Sequence, residues 1–144
     1  MTVSLLDVNV LIASIDQDHV AYKRVHTWLR DSEGKPWATC PLTEAGFVRI
    51  ISNPSFHVRR VTVQEALALL SSLTQRTGHR FWPADIPLRE AVQPLQGRLY
   101  GHRQLSDAYL LGLAIRNKGQ LVTLDTGLEA LAGRELGRYV AVLR

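Results

Sequence analysis

A single cysteine, Cys40, stands among the 144 residues. That excludes an internal disulfide framework and any Cys-based zinc cluster, and it suits a reducing cytoplasm. The chain has no His-x-x-x-His spacing, no Gly-rich phosphate loop, no Gly-x-Ser-x-Gly turn and no convincing Cys–His couple. Zinc-peptidase, nucleotide-phosphate and acyl-enzyme chemistries therefore lack residues they need. No apolar run reaches membrane length. The stretch Val3 to Ile15 has no Lys or Arg ahead of it and carries Asp7 and Asn9 within it, so it is neither a signal peptide nor a membrane span. Repeats, linkers and low-complexity segments are also missing.

What is present suits one compact domain spanning residues 1–144: 46% of residues are apolar and 21% charged. A chain of this length buries roughly 68–70% of its unfolded surface, so it folds without a structural metal, and any metal would serve chemistry. Lys and Arg number 17 against 13 Asp and Glu, a formal charge of +4. If four of the acids form one site, the remaining surface is strongly basic and steers polyanions.

Val3 to Leu6 reads as a short buried strand running into Asp7, and Val8 to Ile15 as a helix. Asp18 is expected to cap a helix over His19 to Arg30, with Ala21, Val25, Trp28 and Leu29 on one face. Trp37 to Cys40 reads as a second strand. Pro41 and Thr43 open a helix with Glu44 in its first turn, stopped by Asn53-Pro54. Thr62 and Glu65 have capping-box spacing, and Val63, Ala66, Leu67, Leu70 and Leu73 form the apolar face of a helix that Gly78 closes. Arg80 to Trp82 reads as a strand, and Pro83 to Arg103 as irregular or weakly helical. Ser106 is expected to cap an apolar core helix. Leu121 to Leu124 is a strand ending in Asp125, Gly127 to Ala132 a short helix, and Tyr139 to Leu143 a last strand. Trp28, Trp37 and Trp82, with Leu67 and Leu70, are assigned to the core; an exposed apolar helix face would instead suit a partner. The alternation implies an α/β domain whose largely parallel sheet is covered on both faces.

In such a sheet every strand delivers its C-terminal end, and the start of the next helix, to one edge. Asp7 and Asp125 each end a strand, while Glu44 and Asp107 sit in first turns. Each alone is explained as a helix cap or a dipole partner. Together they make a cluster of like charges that a hard divalent cation, Mg²⁺ or Mn²⁺, resolves. Carboxylate-held ions suit phosphate-ester hydrolysis by activated water, with no protein nucleophile. Asp85 also follows a strand and competes with Asp125 for the fourth place. His19, His26, His57, His79 and His102 are scattered and stay off the ligand list. Arg98, Tyr100, His102 and Arg103 form a basic, aromatic loop suited to an RNA backbone, or to plain solvation.

Leu5-Leu6-Asp7-Val8-Asn9-Val10-Leu11-Ile12, Pro41-Leu42-Thr43-Glu44, Leu105-Ser106-Asp107-Ala108-Tyr109-Leu110-Leu111 and Leu121-Val122-Thr123-Leu124-Asp125, in this order, resemble the PIN-domain family. Within it they most resemble the VapC toxins of toxin–antitoxin pairs. The resemblance spans essentially the whole chain. It implies an α/β/α sandwich and a Mg²⁺- or Mn²⁺-dependent endoribonuclease that leaves a 5′ phosphate. It also implies a cytoplasmic homodimer neutralised by a VapB-like antitoxin. It assigns the metal to Asp7, Glu44, Asp107 and Asp125. Asn9 and Thr123 match polar positions that would orient carboxylates or water. Two rivals stand beside it. Asp7-Val8-Asn9-Val10 faintly echoes a haloacid-dehalogenase-like phosphatase start, although Asn9 replaces the second Asp of that motif. The basic surplus also suits an RNA-binding module with a silent site.

Overall fold

The computed structural model describes residues 1–56 and 59–144; His57 lies outside the described residues. Five short parallel strands, β1 (Ser4–Leu6), β2 (Trp37–Thr39), β3 (His79–Phe81), β4 (Gln120–Thr123) and β5 (Val140–Val142), form one sheet in the order β3-β2-β1-β4-β5. Register is fixed by pairs such as Leu5 with Ala38, Leu5 with Leu121, Trp37 with His79 and Val122 with Ala141. Among the described residues, seven α-helices flank it: α1 (Val8–Ile15), α2 (Tyr22–Asp31), α3 (Pro41–Ile51), α4 (Val63–Thr74), α5 (Leu88–Val92), α6 (Leu105–Arg116) and α7 (Thr126–Leu136).

The two-residue period of a strand divides the core into two layers. Leu5, Ala38 and Leu121 face Ala91, Leu95, Leu110, Leu113 and Leu128 from α5 to α7. Leu6 and Val122 face Val10, Val25, Phe47, Ala66 and Leu70 from α1 to α4. The α/β/α sandwich follows directly. Chain order runs outward from β1 to β3 along one half of the sheet, then crosses to β4 and β5 on the other. The winding therefore reverses between neighbouring β1 and β4, the place where such sheets open a crevice for ligands.

Several boundaries differ from the sequence reading for local reasons. Asp18 does not cap α2, which starts only at Tyr22; the preceding turn is closed by the Ala21 amide donating to His19 Nδ1 at 3.0 Å. Ser106 does not cap α6 either, because a 3₁₀ turn over His102–Gln104 leads straight into Leu105 and Ser106 is already helical. The helix opened by Thr62 ends at Thr74, and Gly78, with φ +87°, makes the turn into β3 instead. That strand begins at His79, one residue earlier than expected. The span between Pro83 and Arg103 holds α5 and two 3₁₀ turns. The last helix is regular only to Ala132, as read: Gly133 (φ 63°, ψ −167°) is non-helical and kinks the chain before a further helical turn runs to Leu136. The Thr62–Glu65 capping box forms as read. Trp82 and Leu70 are buried and Trp28 and Trp37 half-buried, but Leu67 is half-exposed beside Val63 and Leu69 and is not core.

Candidate functional site

Three aspartates meet at the β1/β4 switch point. Asp7 follows β1, caps α1 and is only 7% exposed. Its Oδ1 accepts from the Val8 amide at 2.8 Å and its Oδ2 from the Thr123 hydroxyl at 2.7 Å. Asp125 follows β4 and caps α7 by accepting from the Gly127 amide at 2.8 Å. Asp107 projects from the first turn of α6. Burial raises the Asp7 carboxyl above its ordinary range, against the hydrogen bonds from Thr123 and Val8, and the charge of Asp125 raises it further. Asp107 is pushed up to about 6, first by burial and then by Asp7 and Asp125. Among the described residues, no Lys or Arg enters the set of groups that determine either ionisation. The three carboxylates thus share a repulsive field that the chain's own cations leave uncompensated.

Thr123 and Asn9 hold this arrangement together. The Thr123 hydroxyl spends its one proton on Asp7 and accepts from the Asp125 amide at 3.0 Å and Asn9 Nδ2 at 3.4 Å. Asn9 Oδ1 in turn accepts from the Leu124 amide at 3.3 Å. One buried side chain on β4 therefore links the two strand-end acids.

Glu44 lies on the same edge, in the first turn of α3, but its charge is absent from those raising Asp7 and Asp107. Its Oε2 accepts from the hydroxyl of fully buried Thr39 at 2.7 Å, and His79 Nε2 lies 2.7 Å from the same hydroxyl. Burial holds His79 below its ordinary range, partly offset by the charge of Glu44. Thr39 and His79 were missed from sequence. Thr39 had a signal, being a hydroxyl at the end of β2 as Thr123 is at the end of β4; His79 had none, since only the β2/β3 register brings it there. Asp85 is exposed and lies by the Tyr109 hydroxyl, apart from the aspartate trio.

The basic loop separates into two parts. Arg98 donates to the Ala132 carbonyl and pairs with Glu135 at 3.4 Å, so it braces the bend of α7. Tyr100, 89% exposed, His102 and Arg103 lie open to solvent.

The donor chemistry fits a hard divalent cation: all three clustered side chains offer carboxylate oxygen, and Cys and His contribute nothing to the trio. Among the described residues, no group of three or more His, Cys, Asp or Glu side chains is already close enough together to hold a metal ion by itself. An open carboxylate edge of this kind suits Mg²⁺, which keeps waters and takes further oxygens from a phosphate.

A parallel sheet in this order, with acids at its switch point, is the architecture of a recognised class: the chain belongs to the PIN domain family, which matches residues 4–134. Within that family it is similar to VapC ribonucleases of Mycobacterium tuberculosis. Ribonuclease VapC44 is 37% identical over 129 residues, 90% of each chain. Ribonuclease VapC39 is 42% identical over 125 residues, 87% of this chain and 90% of that one. The fold is also that of VapBC2 from Rickettsia felis, solved bound to a DNA fragment from its promoter, with a TM-score of 0.61, 12% identity and coverage of 90% of this chain and 92% of that chain.

Proposed function

We propose that the protein is a Mg²⁺- or Mn²⁺-dependent endoribonuclease toxin, neutralised by a VapB-like antitoxin. The carrying observation is the convergence of three carboxylates at one sheet edge: burial and then the charge of Asp125 raise Asp7, and burial and then the charges of Asp7 and Asp125 raise Asp107. The VapC relatives, at 37–42% identity over about nine-tenths of the chain, support ribonuclease activity. Asp7, Asp107 and Asp125 would hold the ion, with Glu44 as a flanking fourth carboxylate. When bound, the ion supplies Lewis acidity at the phosphoryl oxygens and lowers the pKa of water, the chemistry required for hydrolysis without a covalent intermediate. The residues of the chain supply position. Thr123 and Asn9 orient the strand-end acids, and Arg103, with Tyr100 and His102, offers charge and a stacking face to RNA beside the α6 start.

Tethering of Asn9 to Thr123 and Leu124 speaks against the phosphatase alternative, which needs a second free acid at that position. An antitoxin that places an Arg or Lys among the carboxylates would supply the missing positive charge. Among the described residues, no helix is long and apolar enough to cross a membrane.

Asp7→Asn and Asp107→Asn should each abolish Mg²⁺-dependent RNA cleavage, read by mapping 5′ ends, while far-ultraviolet circular dichroism stays native. Full activity in either mutant sinks the assignment. RNA binding without divalent-dependent cleavage by the wild type would favour a silent RNA-binding module.

A further inference from the structure

Glu44 is tied into a hydrogen-bond chain whose polarity can be worked out from proton accounting. A threonine hydroxyl has one proton. Thr39 donates it to the Glu44 carboxylate at 2.7 Å, so the second short contact, to His79 Nε2 at 2.7 Å, must run from the ring N–H to the hydroxyl oxygen. Three elements thus point one way: His79 on β3 donates to Thr39 on β2, which donates to Glu44 on α3. The ring is also fixed in place. Trp37 packs its edge against His79 with centroids 4.8 Å apart at 63°, and the indole is itself anchored by Nε1 donating to the Thr77 carbonyl at 3.1 Å. Thr39 is fully buried, so its hydroxyl has no water to turn to.

The geometry points to His79 as a positioning residue for Glu44, acting through Thr39: the chain commits Oε2 to the fold and leaves Oε1 as the oxygen available to the acidic edge. Glu44 then serves the edge as a one-oxygen donor held in a single orientation. This rests on the metal-centre reading above and adds the residues that set its fourth carboxylate. A purely structural role, tying β3 to β2, would leave Mn²⁺ binding unchanged when His79 or the Thr39 hydroxyl is removed. The positioning role requires Nε2–H.

The test is a Mn²⁺ titration of the full chain by calorimetry, with nitrogen-15 spectra of the histidine rings. In the wild type, His79 should carry its proton on Nε2 with Nδ1 bare, and Glu44→Gln should move the Nε2 resonance. His79→Ala and Thr39→Val should weaken Mn²⁺ binding by roughly 10-fold or more, the usual effect of losing a group that orients a ligand. His79→Gln, which keeps an N–H donor, and Thr39→Ser, which keeps the hydroxyl, should recover most of it. A proton on Nδ1 in the wild type overturns the inference, and that reading does not depend on any mutant folding. So does His79→Ala binding Mn²⁺ within about twofold of wild type while Asp7→Asn binds it weakly. Unchanged Mn²⁺ binding by Asp7→Asn would overturn the metal centre itself, a separate result.

Discussion

Asp107 has its carboxyl pushed up to about 6, so the folded chain holds that proton more tightly than the unfolded chain, where the carboxyl titrates near 3.8. The sign follows from linkage: stability from this proton is fully present below the unfolded value and is lost as pH rises through about 6. Above that, the metal-free fold carries an ionised Asp107 facing Asp7 and Asp125 at a cost. Asp107→Asn should therefore stabilise the metal-free protein near neutral pH, by about 1–2 kcal/mol after allowing for partial exposure, and give no gain near pH 3.5. Urea midpoints in chelator at the two pH values check this; equal effects at both would show that burial and the neighbouring acids do not raise the Asp107 carboxyl. Mg²⁺ should raise the midpoint at about pH 7.5 and do less at about pH 4.5, where Asp107 already holds its proton. Thr123 is the second residue with a predictable sign. Its hydroxyl is the donor to buried Asp7 Oδ2 and the acceptor for the Asp125 amide. Thr123→Val should cost about 1–3 kcal/mol, the desolvation of orphaned polar groups, and Thr123→Ser should restore most of it in the same unfolding measurement.

Placement of elements decides which of these residues meet, and one close approach limits how freely the elements shift. A Cβ built on Gly112 of α6 would lie 2.1 Å from the Ala91 carbonyl oxygen of α5, which is backbone and cannot yield. Gly112→Ala should push α5 away and destabilise the fold by about 3 kcal/mol, at the top of the usual overpacking range. Because α6 carries Asp107, cleavage should fall along with the thermal midpoint; a native midpoint would mean that the two helices slide without penalty. Elements whose signals are local were legible in the sequence. The Thr62–Glu65 capping box, the Pro41 helix start and the strand–acid–helix run around Asp7 each lie within a few residues, and the parallel-sheet rule then placed four acids on one edge. Signals that act through space were not legible. The β2/β3 register that brings His79 under Thr39 joins residues 40 apart in sequence, and Arg98 reads as a free loop cation until the bend at Gly133 brings the Ala132 carbonyl to it. The Ser106 cap failed for a related reason: a preceding 3₁₀ turn started the helix by continuity and left no vacancy for a capping side chain.

Over the whole molecule, positive charge exceeds negative while three carboxylates gather at one edge. Seventeen Lys and Arg face 13 Asp and Glu, and three of those acids are drawn into one site. In the function proposed above, the basic surplus attracts an RNA strand and a divalent cation at the edge would let its phosphates approach the aspartates. The two arginines before α6, Arg98 and Arg103, differ in whether the fold already uses them. Arg103 is exposed four residues ahead of Asp107, with no salt bridge among the described residues. Arg98 is spent on Ala132 and Glu135. The two arginines should therefore fail differently. Arg103→Ala should weaken RNA binding, flatten the salt dependence by about 0.7 in log–log slope for one lost phosphate contact, and leave the thermal midpoint unchanged. Arg98→Ala should lower stability by about 1–3 kcal/mol, since it strips the partner from the Ala132 carbonyl at the α7 bend, and weaken RNA binding only as the fold loosens. Salt titrations of RNA binding with thermal unfolding of both variants separate these outcomes. An unchanged slope for Arg103→Ala would move the RNA path off this loop, onto another part of the basic surface, without disturbing the aspartate edge.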